Sequence, residues 1–75
     1  MAPVSSPEYQ RMLQRLRQAR LDAGFTQVEV AQRLGLRQTF VSKVELGERR
    51  LDAVELARFA ALYGRPIGWF LESES

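Results

Sequence analysis

The sequence predicts an all-α fold, five short helices in one domain over residues 1–75, with an ordered core over about residues 6–71. Two features carry that reading and a third removes the alternative. Apolar residues recur at helical spacing in segments that stop at Gly24, Gly35, Gly47 and Gly64. Glycine just past a periodic segment is a common helix stop, because it enters the left-handed region without a Cβ clash. Thr26-Gln27-Val28-Glu29 and Asp52-Ala53-Val54-Glu55 both have the capping-box pattern. In it a short polar side chain and an acid three residues on satisfy free amides at a helix start. No segment alternates polar and apolar residues over several positions, so no strand is expected.

Taken in order, Met1 to Ser5 have no apolar period and read as a loose arm. Ser6-Pro7-Glu8 supplies a cap, a first-turn proline and an acid suited to the positive end of a helix dipole. The first helix then carries Tyr9, Met12, Leu13, Leu16, Ala19 and Ala23 at helical spacing as far as Gly24. The second opens at the Thr26 box and ends at Leu34, before Gly35; the third runs from about Gln38 to Leu46 and is closed by Gly47. The Asp52 box starts a fourth through Leu56, Phe59, Ala60 and Tyr63 to Gly64. Pro66 is expected to begin a short fifth helix with Ile67, Trp69, Phe70 and Leu71, followed by a frayed ESES tail. There is no internal repeat and no linker.

Composition narrows the function. The chain has no cysteine and no histidine, which excludes disulfides, thiolate or imidazole metal ligands and the commonest catalytic base. No metal and no cofactor are expected. The net charge is only +2, but it is unevenly spread: residues up to 50 carry nine basic and five acidic side chains, the remainder two and four. A polyanion is drawn to the first part. No apolar run approaches the roughly 18 residues of a membrane span, and the N-terminus lacks a signal-peptide pattern. Neither a membrane partner nor export is expected, which places the protein in the cytoplasm.

Residues 26–47, TQVEVAQRLGLRQTFVSKVELG, hold two short helices around a turn containing Gly35. This is the layout of a DNA-reading helix-turn-helix, whose second helix enters the major groove. At about 100° per residue the third helix places Gln38, Thr39, Ser42 and Lys43 on one side, and Phe40, Val41 and Val44 on the other. An amide matches an adenine edge, a threonine offers a hydroxyl and a methyl, serine a small hydroxyl, and a lysine donates to guanine. A merely solvated face is the alternative. Catalysis is not expected: Ser42 and Lys43 are adjacent, so they point about 100° apart and form no simple nucleophile-base pair. Glu45 and Glu48 read as ion-pair or surface groups.

The chain resembles the phage repressor and Cro family, also called the xenobiotic-response-element family. The resemblance rests on TQVEVAQRLG, Gln38, VSKVE, the stretch GERRLDAVELARFA beginning at Gly47, Gly64 and the closing IGWFL, and it covers about residues 9–71 in one register. It implies a five-helix lambda-repressor-like fold in which Gln38, Thr39 and Lys43 meet base edges, while Ser42 serves a base or a phosphate. It also implies a phosphate contact at Gln27, with Thr26, where a helix N-terminus offers free amides. Two features depart from the family: the loop Glu48-Arg49-Arg50 is short, and a Ser or Thr cap commonly precedes Gln38, where this chain has Arg37. The lost cap costs about 1 kcal/mol, and a guanidinium there is placed for phosphate.

Arg49 and Arg50 are further phosphate candidates, with pairing to Glu48, Asp52 or Glu55 as the alternative, especially for Arg50. Arg20 and Glu45 match positions that commonly pair in the family, partly buried, holding the recognition helix against the first. Phe40 is expected in the packing. Trp69, a large apolar group on a very short helix, marks the expected homodimer interface; closing the core beside Ile67, Phe70 and Leu71 is the alternative. The implied partner is a double-stranded DNA operator, bound by a homodimeric, bacterial or phage-encoded regulator that joins the nucleoid when bound. The sequence holds no small-molecule sensor, so control is expected through concentration, dimerisation, proteolysis or a protein partner. A DNA-binding antitoxin or restriction-modification controller with a protein partner remains an alternative, as does a helical protein-interaction module without DNA binding.

Overall fold

The computed structural model describes residues 6–72. Among them the chain forms α1 (Pro7–Asp22), α2 (Gln27–Leu34), α3 (Gln38–Leu46), α4 (Ala53–Tyr63) and α5 (Ile67–Leu71), and no strand. The expected N-terminal arm and Ser73 to Ser75 of the expected frayed tail lie outside the described residues.

Three helices start on side-chain caps. Ser6 Oγ accepts from the Tyr9 amide at 3.1 Å. Thr26 Oγ1 accepts from the Glu29 amide at 3.1 Å while Glu29 Oε1 accepts from the Thr26 amide at 2.8 Å. Asp52 and Glu55 repeat that reciprocal pair at 2.7 and 3.0 Å. Each such cap is worth about 1 kcal/mol over alanine. Arg37 and Pro66, at the same positions before α3 and α5, make no side-chain cap. Pro66 therefore does not begin α5, as the sequence predicts; its backbone is extended and the helix starts one residue later, at Ile67.

Every helix gives side chains to one core. Leu16, Val30, Val41, Val44 and Phe70 are fully buried, surrounded by Met12, Leu13, Ala31, Leu56, Phe59 and Tyr63. Fully burying each of the larger side chains contributes about 1.5–3 kcal/mol. Helix α1 lies against α3, α4 and α5, while α2 packs on α3 and α4. The α2–α3 pair is thus backed from two sides.

The turn between them depends on Gly35, which has φ +68°. Nothing lies within 4 Å of the place a Cβ would occupy there, so the backbone conformation, not space, asks for glycine. From α4, Arg58 Nη2 donates to the Leu34 carbonyl at 2.7 Å. That bond satisfies a free acceptor at the end of α2 and sets a cation at the negative end of its dipole. The turn is tied to the body of the domain just where α3 begins.

Candidate nucleic-acid interface

The rotation of α3 is decided by two valines. Val41 and Val44 are 0 % exposed, so turning the helix about its axis would lift both from the core. Gln38, Thr39 and Lys43 are left exposed, and Ser42 half-buried. Phe40 is half-buried and packs against the core. Leu46 is 64 % exposed and shares the polar side. Sequence reasoning did not place it there, although at about 100° per residue it falls between Ser42 and Thr39.

Beside this face runs an open groove of about 410 Å³, lined by the apolar side chains of Leu36 and Phe40 and by Arg37, Thr39, Lys43 and Arg49. Arg37 and Lys43 are exposed and make no ion pair among the described residues. Their charge is available to an anion, whereas Arg49 is partly engaged. Its guanidinium lies 4.7 Å from the Phe40 ring centroid and Nη2 reaches Glu55 Oε2 at 3.1 Å. Arg49 also donates to the Arg50 carbonyl. Arg50 lies 4.5 Å from the Tyr9 ring centroid, and Tyr9 Oη accepts from the Leu51 amide at 3.1 Å. The loop after α3 is therefore pinned to α1. Of the acid pairings weighed for Arg49 and Arg50, Arg49 makes the one with Glu55, and Arg50 makes none among the described residues.

At the start of α2, the Thr26 hydroxyl accepts from the Glu29 amide in its capping box. The Gln27 side chain is half-buried, and its Nε2 donates to Glu45 Oε1 at 3.1 Å. Glu45 also takes two bonds from Arg20: Nε to Oε2 at 2.6 Å and Nη2 to Oε1 at 3.0 Å. Their side chains are 9 % and 7 % exposed. Arg20 further donates to the Phe25 carbonyl at 3.0 Å. Donation to the Glu45 carboxylate holds the guanidinium above its ordinary pKa. Burial, followed by the charge of Glu45, pushes the Tyr63 hydroxyl up from its ordinary value. The link from Gln27 to Glu45 was missed from sequence, since residues 18 positions apart on different helices carry no local signal.

Trp69 sits at the opposite end of the chain, half-buried against the core. Arg65 lies 4.1 Å and Arg15 5.3 Å from its ring centroid, and Phe70 meets it edge-on at 5.0 Å. Both arginines are held by acids, Arg15 by Glu72 at 3.2 Å and Arg65 by Asp22 at 3.0 Å. Of the apolar residues expected beside Trp69, Phe70 is buried, whereas Ile67 and Leu71 are 40 % and 59 % exposed.

No helix among the described residues is long and apolar enough to cross a membrane. A family model described as helix-turn-helix matches residues 16–70. No curated protein matches the chain.

Proposed function

The chain belongs to the helix-turn-helix family of DNA-binding regulators, and from that premise we propose that it is a homodimeric repressor reading a palindromic operator in the cytoplasm, without catalysis. The observation that carries the reading is the exposed face of α3, where Gln38, Thr39 and Lys43, which makes no ion pair among the described residues, stand opposite two fully buried valines. Packing fixes which side of the helix meets solvent, and that side holds donors and acceptors of the kind base edges discriminate. Set in the major groove, α3 presents Gln38 and Thr39 at its leading end and Lys43 one turn on, with Ser42 beside them. Arg37 at the head of α3, Thr26 and Gln27 at the head of α2, and Arg49 and Arg50 in the following loop take the flanking phosphates.

A single α3 reads few base pairs, and two-fold pairing of subunits doubles the site. Exposed Ile67 and Leu71, with the outer edge of Trp69, supply the apolar surface for that pairing. Occupancy of the operator then excludes other proteins from the same DNA. Selection of bound duplexes from a random pool tests the reading: a palindromic consensus with half-sites about one turn apart is expected. Recovery of unenriched sequence would overturn it.

A further inference from the structure

Resting on the reading of the α2 start as a phosphate contact, we infer that Glu45 is a positioning residue for that contact: it sets the Gln27 amide with one N–H turned outward to DNA. The reason lies in what each group can donate. A carboxylate only accepts, so of the two ends of the Gln27 amide only Nε2 faces it productively. The observed 3.1 Å bond from Nε2 to Glu45 Oε1 uses one of the two amide protons. The other remains for a partner outside the network. Glu45 is itself held, because Arg20 grips both of its oxygens, at 2.6 and 3.0 Å. With both side chains of that pair nearly buried, the carboxylate has little room to swing.

The backbone points the same way. Gln27 and Val28 open α2, where the first amides have no intrahelical acceptor, and the Thr26 box satisfies the amides of Thr26 and Glu29 but not those of Gln27 and Val28. A phosphate there meets these amides together with the outward N–H of Gln27. Were Glu45 to release Gln27, the side-chain amide would be free to turn and bring its carbonyl oxygen toward the phosphate, replacing attraction with repulsion. Glu45 also stands on α3, the helix that presents the reading face. One bond thus keeps the phosphate contact in register with the base-reading side chains.

The test is a cycle of wild type, Gln27→Ala, Glu45→Gln and the double variant, at a temperature where circular dichroism shows all four folded. Binding is measured on the selected duplex, and on copies with a neutral methylphosphonate at each backbone position in turn. Each single variant is expected to weaken binding about tenfold, the scale of a hydrogen bond to a charged group. The double variant should be no weaker than Gln27→Ala, and one methylphosphonate position should erase the effect of both changes. Equal losses from Glu45→Gln with and without Gln27 would make Glu45 merely structural and overturn the inference. A wild type that binds no duplex would overturn the DNA reading and this inference with it, an outcome distinct from the last. Where Glu45→Gln fails to fold, nitrogen-15 spectra of the wild type decide. The Gln27 side-chain amide, assigned by its loss in Gln27→Ala, should have one proton protected in the free protein and the other shifted by the duplex. A second proton unmoved by DNA overturns the proposal.

Discussion

Gln38 and Arg37 are neighbours for which different work is proposed. Gln38 opens the exposed face of α3, while Arg37 stands before the helix with an extended backbone and no ion pair among the described residues. Alanine at Gln38 should cost roughly 1–3 kcal/mol on the preferred site and relax the choice of base at one position per half-site. Arg37→Ala should weaken all sequences nearly equally and lower the salt slope by about 1 per subunit. Binding curves on matched and single-substituted duplexes at two salt concentrations separate these outcomes; a Gln38→Ala variant with unchanged site preference would reject the base-reading role. In the interior, Glu45→Gln leaves the Arg20 guanidinium buried without its counter-charge. That should cost about 3 kcal/mol or more, against about 1 or less for Glu72→Gln, whose carboxylate is 63 % exposed. At about 4–8 °C per kcal/mol for a domain of this size, calorimetry should find the melting temperature lowered by over ~10 °C in the first variant. Equal shifts would reject a stabilising role for the buried pair. The exposed side of α3 was readable from sequence because its residues follow one helical wheel. The Gln27 to Glu45 bond and the arginines around Trp69 were not, since tertiary packing alone brings those residues together.

The starts of α1, α2 and α4 show why helix boundaries were the easiest features to read. A cap and its partner lie within three residues, so local chemistry declares them, as at Thr26 and Glu29. Helix α5 was placed less well, because Pro66 suits both a cap position and a first turn, and local sequence does not choose between them. The α2 box also makes a pH prediction. The bond from the Thr26 amide, then that from its hydroxyl, holds the Glu29 carboxyl below its ordinary 4.5. A depressed folded-state value means that the contribution is fully present above the unfolded value and disappears as pH falls through the folded one. Wild type should therefore melt above Glu29→Ala at pH 7, and the gap should close as pH is lowered from about 4.5. Thermal melts of both proteins along that series measure it, and a gap that stays constant down to pH 2 would assign the stabilisation to something other than the ionised acid.

At the scale of the whole molecule, the expectation that Trp69 marks a subunit interface has to be weighed against what its neighbours on α5 expose. Trp69 has arginines at 4.1 and 5.3 Å, each anchored by an acid of the same chain, so much of its ring is already used in closing the subunit. Leu71 and Ile67 are not so engaged: they expose 59 % and 40 % of their surface one turn apart on the same short helix. A carboxylate at Leu71 should leave the fold nearly intact, because an exposed position loses little packing, yet two copies across a two-fold axis would bring buried like charges together. Leu71→Asp should sediment as a monomer at concentrations where the wild type is dimeric, keep its helical spectrum, and lose affinity for a palindrome far more than for an isolated half-site. Trp69→Ala should instead lower the melting temperature first, since it empties a half-buried site beside Phe70. Two-fold pairing would add a constraint on DNA: α3 helices about 34–36 Å apart would fit half-sites one turn apart, and inserting about 5 base pairs between them rotates one half-site to the far side of the duplex. Affinity should fall with that insertion and recover in part with about 10 base pairs if DNA bending costs little. A wild type that stays monomeric at high micromolar concentration with the palindrome present, or binds all three spacings equally, would remove the dimer from the mechanism.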